Sequence, residues 1–196
     1  MLTAGAGQVI VVEKDTRFLP LLNQIADASG GRMKILDGDA LKLPLHELGD
    51  APRRIIANLP YNISTPLLIA MLRHIGSYES LTLMFQKEVA QRIAAPPGSE
   101  AYGRLSVMAQ WLCDAHIPFD VPARAFTPPP KVDSAIIRLV PKPSPPDAET
   151  FAKMEATVAR AFNQRRKMIR SSLKGTDFEA AGIDPTSRPE QLTIND

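Results

Sequence analysis

The sequence predicts an α/β protein: a mostly parallel sheet wrapped by helices, followed by a small helical segment. Two observations predict the first part. Apolar runs of strand length alternate with segments of helical period, and the runs lack the in-out alternation of a strand with one wet face. A third observation predicts the second part, since the proline-rich "PKPSPPD" from Pro141 to Asp147 interrupts the chain where neither a helix nor a central strand could continue. We therefore expect a Rossmann-like domain over 1–140, a linker over 141–150 and a helical domain over 151–196.

The elements follow in order. "QVIVVEKD" (Gln8 to Asp15) reads as a parallel strand buried on both faces and ending in charge. "TRFLPLLNQIADASGG" reads as a helix with Thr16 as N-cap and Gly30 as C-cap. "MKILDGDAL" and "RRIIANLPY" are the next strands, then come a helix from Ser64 to about His74, the strand "LTLMF", and a helix from Lys87 to Ala95. "YGRLSVMAQWLC" is a further helix, and "AHIPFDV" and "SAIIRLV" are two late strands flanking the proline-rich "PARAFTPPPKVD". Beyond the linker, Phe151 to Lys174 has helical period throughout, with Val158, Phe162, Ile169 and Leu173 on one narrow arc. "SRPE" at Ser187 to Glu190 reads as a capping box opening a last helix of only about a turn and a half.

Composition narrows the class. With 44% hydrophobic and 22% charged residues among 196, the chain is neither disordered nor fibrous. A net charge of +2 does not by itself announce a nucleic acid partner, so the distribution of charge matters more than its sum. The lone cysteine, Cys113, excludes a disulfide framework, and with no signal-like or membrane-length apolar stretch the sequence reads as cytoplasmic, with no membrane partner. His46, His74 and His116 are scattered, with no ligand spacing around them, so no metal is expected.

The stretch that carries chemistry is "NLPYNIS", Asn58 to Ser64, directly after an apolar strand. Ligands of open α/β sheets sit at the carboxyl ends of strands, where this segment falls. Attack by an exocyclic adenine amine needs its hydrogens held so that the nitrogen lone pair is freed and aimed. The Asn58 side-chain carbonyl and the Leu59 backbone carbonyl can accept the two hydrogens, Pro60 brings no competing N–H, and Tyr61 can stack on the base. A type I turn with proline at its second position would use the same residues.

The surrounding sequence separates the two readings. Asn58-Leu59-Pro60-Tyr61 resembles the (D/N/S)PP(Y/F)-type motif of amino methyltransferases. The blocks "VVEKD", "LDGDAL", "NLPYNIS", "FQKEVAQRI", "YGRLSV", "FTPPPKVDSAIIRL", "FNQRRKMIRSSL" and "SRPEQL", in this order over nearly the whole chain, resemble the bacterial rRNA adenine N6,N6-dimethyltransferases, the KsgA family. The resemblance implies a class I S-adenosylmethionine-dependent methyltransferase fold with a small helical C-terminal domain. It also implies methylation of two adjacent adenosines near the 3′ end of small-subunit (16S) rRNA during ribosome biogenesis, by a protein expected to be a monomer.

By the same resemblance, Glu13 takes the cofactor's ribose hydroxyls, and Asp39 with Ala40 lies near the cofactor's adenine amine, beside Asn58. Asp37 is read as a strand-end charge. Phe126 either stacks on the flipped base opposite Tyr61 or plugs the core beneath the proline loop, and the sequence leaves both open. Arg160, Lys167, Arg170 and Lys174 fall on one face of the predicted long helix. That stripe has one sign, as tracking of RNA phosphates requires.

The chain departs from the family at its start. The family's glycine-rich cofactor loop follows a first strand, whereas here Met1-Leu2-Thr3 matches only the loop's end and "AGAG" precedes a strand, so Gly5 and Gly7 are read as helix terminators. The strand so lacking would lie between those of "VIVVE" and "RIIAN", and the C-terminal end also reads as shortened. Weak cofactor binding by the chain as it stands is the expectation. The alternatives are a non-catalytic module that binds pre-ribosomal RNA and a large-subunit rRNA methyltransferase of the macrolide-resistance type.

Overall fold

The computed structural model describes residues 1–196. Its six strands are β1 (Val9–Glu13), β2 (Met33–Asp37), β3 (Arg54–Asn58), β4 (Ser80–Gln86), β5 (Cys113–Val121) and β6 (Ser134–Pro141). The α-helices are α1 (Leu19–Asp27), α2 (Tyr61–Arg73), α3 (Lys87–Ile93), α4 (Arg104–Leu112), α5 (Ala148–Asn163) and α6 (Ile169–Ser172). The strands form two sheets. β1 and β2 pair in parallel by themselves, and the other four have the order β3-β4-β6-β5. In the larger sheet β3 and β4 are parallel, while β6 runs antiparallel to both β4 and β5.

No strand of the smaller sheet pairs with the larger one, and β1 and β3 are the two strands between which the sequence predicts a gap. Burial shows its consequence. The main core is built on β4 and β6, where Leu81, Leu83, Phe85, Ala135, Ile137 and Leu139 are fully buried, and on α2 and α4. β1, expected to be buried on both faces, is only half-buried along its length. β3 alternates, and Ile56 on its open face is 55% exposed. α1 buries none of its residues, and Phe18, Leu21 and Ile25 on and just before it stay exposed. A continuous apolar run predicts cover on both faces, and here no layer supplies it on one side.

Local chemistry explains most element ends. Gly5, with φ of 98°, closes a short 3₁₀ turn over Leu2–Ala4, the terminating role expected of it. Asp15, not Thr16, accepts the Arg17 N–H at the 3₁₀ turn that leads into α1, and α1 ends at Asp27 with Ala28 as its C-cap, two residues before Gly30. β5 slips register between His116 and Phe119, where Pro118 has no N–H to give, which an edge strand tolerates.

The predicted helix over Phe151–Lys174 is a corrected expectation. α5 starts with Asp147 accepting the Thr150 N–H at 2.7 Å and stops at Asn163. Gln164 and Met168 leave helical geometry, and α6 is a single turn held by Ile169 N–H to Ser187 O and Arg170 N–H to Pro185 O. The apolar arc persists because the chain folds back. Phe151 and Val158 join the main core, while Ala161, Ile169 and Leu173 form a second cluster with Phe162 beside it. The "SRPE" segment leads into a 3₁₀ turn over Pro189–Gln191, not a helix, and the box is one residue further on than Ser187 to Glu190: Arg188 is the cap, and the Gln191 side chain accepts its N–H at 2.7 Å.

Candidate active site

The first three strands and β4 are parallel within their sheets, so the carboxyl ends of β3 and β4 share one edge, with Asn58 in register with Met84. Side chains alternate through the loop that follows. Leu59 is 5% exposed and anchors the turn in the core, whereas Asn58 and Pro60 are exposed. Pro60, at φ −58° and ψ 130°, sets the direction in which α2 begins at Tyr61. The loop therefore presents an amide and an aromatic ring at the mouth of the sheet, beside the positive end of a 13-residue helix.

Tyr61 is 36% exposed, yet it is not free to swing. Its hydroxyl lies 2.8 Å from Ser134 Oγ, at the first residue of β6. β6 lies two strands from β3, about 10 Å across the sheet, so the ring spans the sheet end. Ser64 Oγ donates to the Tyr61 carbonyl at 3.0 Å and tightens the first turn. Next to this edge lies a cleft of about 450 Å³ lined by Gln86, Lys87, Glu88, Gln91, Lys131, Val132 and Asp133. Phe126 is half-buried in the loop joining β5 to β6 and borders the same end of the sheet.

The acidic pair sits on the smaller sheet. Glu13 ends β1, in register with Asp37 on β2, and its Oε1 accepts the Asp15 N–H at 2.7 Å, leaving the second oxygen open. Asp39 follows β2. Its carboxylate meets Lys14 Nζ at 2.9 Å and accepts the Leu41 N–H at 3.1 Å. The Lys14 ammonium, and next the Leu41 N–H, hold its carboxyl below the usual carboxylate range, so it stays ionised. Ala40 beside it is half-buried against the main core, and Asp37 is exposed. Two carboxylates on neighbouring parallel strand ends are the acceptor set that gripping hydroxyls and an amine needs, so these residues fit a nucleoside. The three histidines and other potential ligands form no group able to hold a metal ion.

The structure thus brings Asn58, Leu59, Pro60 and Tyr61 together, and Glu13 together with Asp39. It ties Tyr61 to the strand after the Phe126 loop. Arg160, Lys167, Arg170 and Lys174 are all exposed, but not as one helical stripe: Lys167 lies in the turn after α5, and Arg160 Nη2 donates to Lys174 O at 3.1 Å because the chain doubles back. Ser134 and Lys14 escaped sequence reading, since a serine opening a strand and a lysine next to an acid carry no local signal. No helix is long and apolar enough to cross a membrane.

The comparisons agree with this geometry. A family model described as ribosomal RNA adenine dimethylase matches residues 2–195. The chain is 51% identical to a ribosomal RNA small subunit methyltransferase A from Rhodospirillum rubrum, covering 99% of this chain and 69% of the relative. It is 52% identical to the protein so named from Caulobacter vibrioides, covering 99% of this chain and 76% of the relative. A solved dimethyladenosine transferase from Plasmodium falciparum superposes with a TM-score of 0.71 at 26% identity, over 94% of this chain and 70% of that one. A 23S rRNA methyltransferase, ErmE, shares the fold at a TM-score of 0.71 and 23% identity, over 96% of this chain and 78% of that one. With a core, a strand-end motif and a whole-length match in accord, the chain belongs to the ribosomal RNA adenine dimethylase family.

Proposed function

We propose that this protein transfers methyl groups from S-adenosylmethionine to the exocyclic amines of adenosines in small-subunit rRNA, in keeping with the names of its relatives and of its family. The observation that carries the reading is the Asn58–Tyr61 loop: an exposed amide and a tethered aromatic ring at the carboxyl end of a parallel strand. In this reading Asn58 Oδ1 and the Leu59 carbonyl accept the two amine hydrogens, Pro60 withholds a competing donor, and Tyr61 and Phe126 stack on the flipped base. Glu13 takes ribose hydroxyls, and Asp39 and Ala40 the nucleoside's adenine edge, near Asn58. The cofactor, when bound, supplies a methyl on a positively charged sulfur. The chain's residues aim the nitrogen lone pair along that bond, and the proton, made acidic as the nitrogen alkylates, leaves to water.

Arg160, Lys167, Arg170 and Lys174 contact RNA phosphates, so that a catalytic body over 1–140 is joined to an RNA-contacting part over 151–196 through the expected 141–150 linker, whose first residue closes β6 and whose last three open α5. The protein works on the small ribosomal subunit as a cytoplasmic monomer. The test is Asn58→Ala. It abolishes methyl transfer from labelled cofactor to small-subunit rRNA while leaving RNA affinity within a few-fold, because the amide meets the reacting amine and not the phosphates. Undiminished turnover would overturn the assignment, and methylation of the large subunit instead would redirect it.

A further inference from the structure

The start of β6 touches both sides of the base site. Ser134 is wholly buried and stands between two strands, opposite Gln86 of β4 and Val121 of β5. Its position is therefore fixed by ladders on both sides. From there its Oγ meets the Tyr61 hydroxyl at 2.8 Å, across 73 residues of sequence. One residue earlier, Asp133 Oδ1 accepts the Ala123 N–H at 2.8 Å and closes the loop that carries Phe126. The Asp133 carbonyl accepts the Lys87 N–H at 2.9 Å, locking that loop to the β4–α3 junction.

We propose that Ser134 is a positioning residue: it holds the Tyr61 ring at its hydroxyl, so that the open face of the ring stays in the plane against which the target adenine stacks. The proposal rests on the reading of Asn58–Tyr61 as the adenine site. The geometry separates the duties of the tyrosine, since stacking needs only the ring face, and the hydroxyl is spent on the tether. A phenylalanine would stack as well but could rotate about its two side-chain torsions, and a partly exposed phenol could equally bond water. The buried serine cannot, so the pair is specified from the strand side. Because Asp133 closes the Phe126 loop from the adjacent residue, the two aromatic rings are referenced to one rigid point.

The test compares Tyr61→Phe, Ser134→Ala and the double variant with the parent chain. Two readouts are used: single-turnover methylation of small-subunit rRNA, and the fluorescence of an RNA hairpin carrying 2-aminopurine at the target adenine. Each single variant is expected to slow methylation about ten- to a hundredfold, with the RNA KM within about twofold and a melting temperature only a few degrees lower for Tyr61→Phe, which leaves the buried Ser134 hydroxyl without its partner. The double variant is no slower than the worse single one, since both remove one interaction. Stacking on the ring quenches 2-aminopurine in the parent, and each variant loses the same part of that quench at equal hairpin affinity. Full quench and parental rate in Tyr61→Phe would overturn the proposal, as would losses that multiply in the double variant. Should Ser134→Ala fail to fold, Tyr61→Phe decides alone. If Asn58→Ala is inactive while Tyr61→Phe and Ser134→Ala behave as the parent, the positioning role fails and the site stands; if Asn58→Ala is active, the site itself fails.

Discussion

Gly76 shows how a single position can fix the relation of two parts. It lies in the 3₁₀ turn after α2, and a Cβ built there would stand 2.8 Å from Cγ of Pro145 in the linker. A proline ring cannot turn aside as a flexible side-chain end could, so an added methyl must push the linker away. Close by, Arg73 pairs with Glu155 at 2.8 Å and lies over the Phe151 ring, so the same junction also orients α5. Gly76→Ala is expected to destabilise the fold by about 1–3 kcal/mol, as overpacking does. At about 2–4 °C per kcal/mol for a chain of this size, the melting temperature should fall by several degrees. Calorimetry checks it, and an unchanged melting temperature would mean that the linker yields freely. Nothing about this glycine shows in the sequence, because the clash would come from a proline far along the chain, beyond three intervening strands and two helices.

At the scale of elements, the basic segment after α5 matters most. Its charges come from a turn and a single-turn helix, so their arrangement depends on the anchors at Ser187 and Pro185, not on helical period. Lys167→Ala with Arg170→Ala is expected to weaken RNA binding and to reduce the slope of log affinity against log salt by about 0.7–0.9 for each phosphate no longer neutralised. Anisotropy titrations at several salt concentrations measure this, and an unaltered slope would leave the residues merely solvated. The strands and the Asn58–Tyr61 loop were legible because apolar runs and Asn58-Leu59-Pro60-Tyr61 are local signals. The end of α5 was not legible: the residues from Gln164 to Met168 include nothing that forbids helix, and the apolar spacing of Val158, Phe162, Ile169 and Leu173 continues across the break. Tertiary pairing with the 185–187 segment decides the matter there. The tether from Tyr61 to Ser134 was equally hidden, as only the sheet order brings them near.

At the scale of the molecule, stability is unevenly spread. The unit of β1, α1 and β2 contributes no buried apolar residue, and the only buried side chain in its span is Ser29, which donates to Ala26 O and accepts the Met33 N–H at 2.9 Å. Its amides are expected to exchange with deuterium far sooner than those of β4 and β6, which carry the core. Hydrogen exchange followed by mass spectrometry decides this, with equal protection as the contrary outcome. Glu13 and Asp39 ride on this less buried unit, whereas Asn58, Tyr61 and Ser134 ride on the larger sheet, so the two halves of the proposed site are expected to differ in rigidity. The same division has an optical consequence. Trp111, whose ring lies 6.2 Å from that of Phe151, and the three tyrosines all lie beyond residue 60, and the first fifty residues hold neither chromophore. The tyrosine and tryptophan bands of near-ultraviolet dichroism, and the fluorescence of those residues, thus report little of the β1–β2 unit, whose only near-ultraviolet absorber is Phe18, while far-ultraviolet dichroism counts its helix and strands, so rising urea should part the two signals before the core melts.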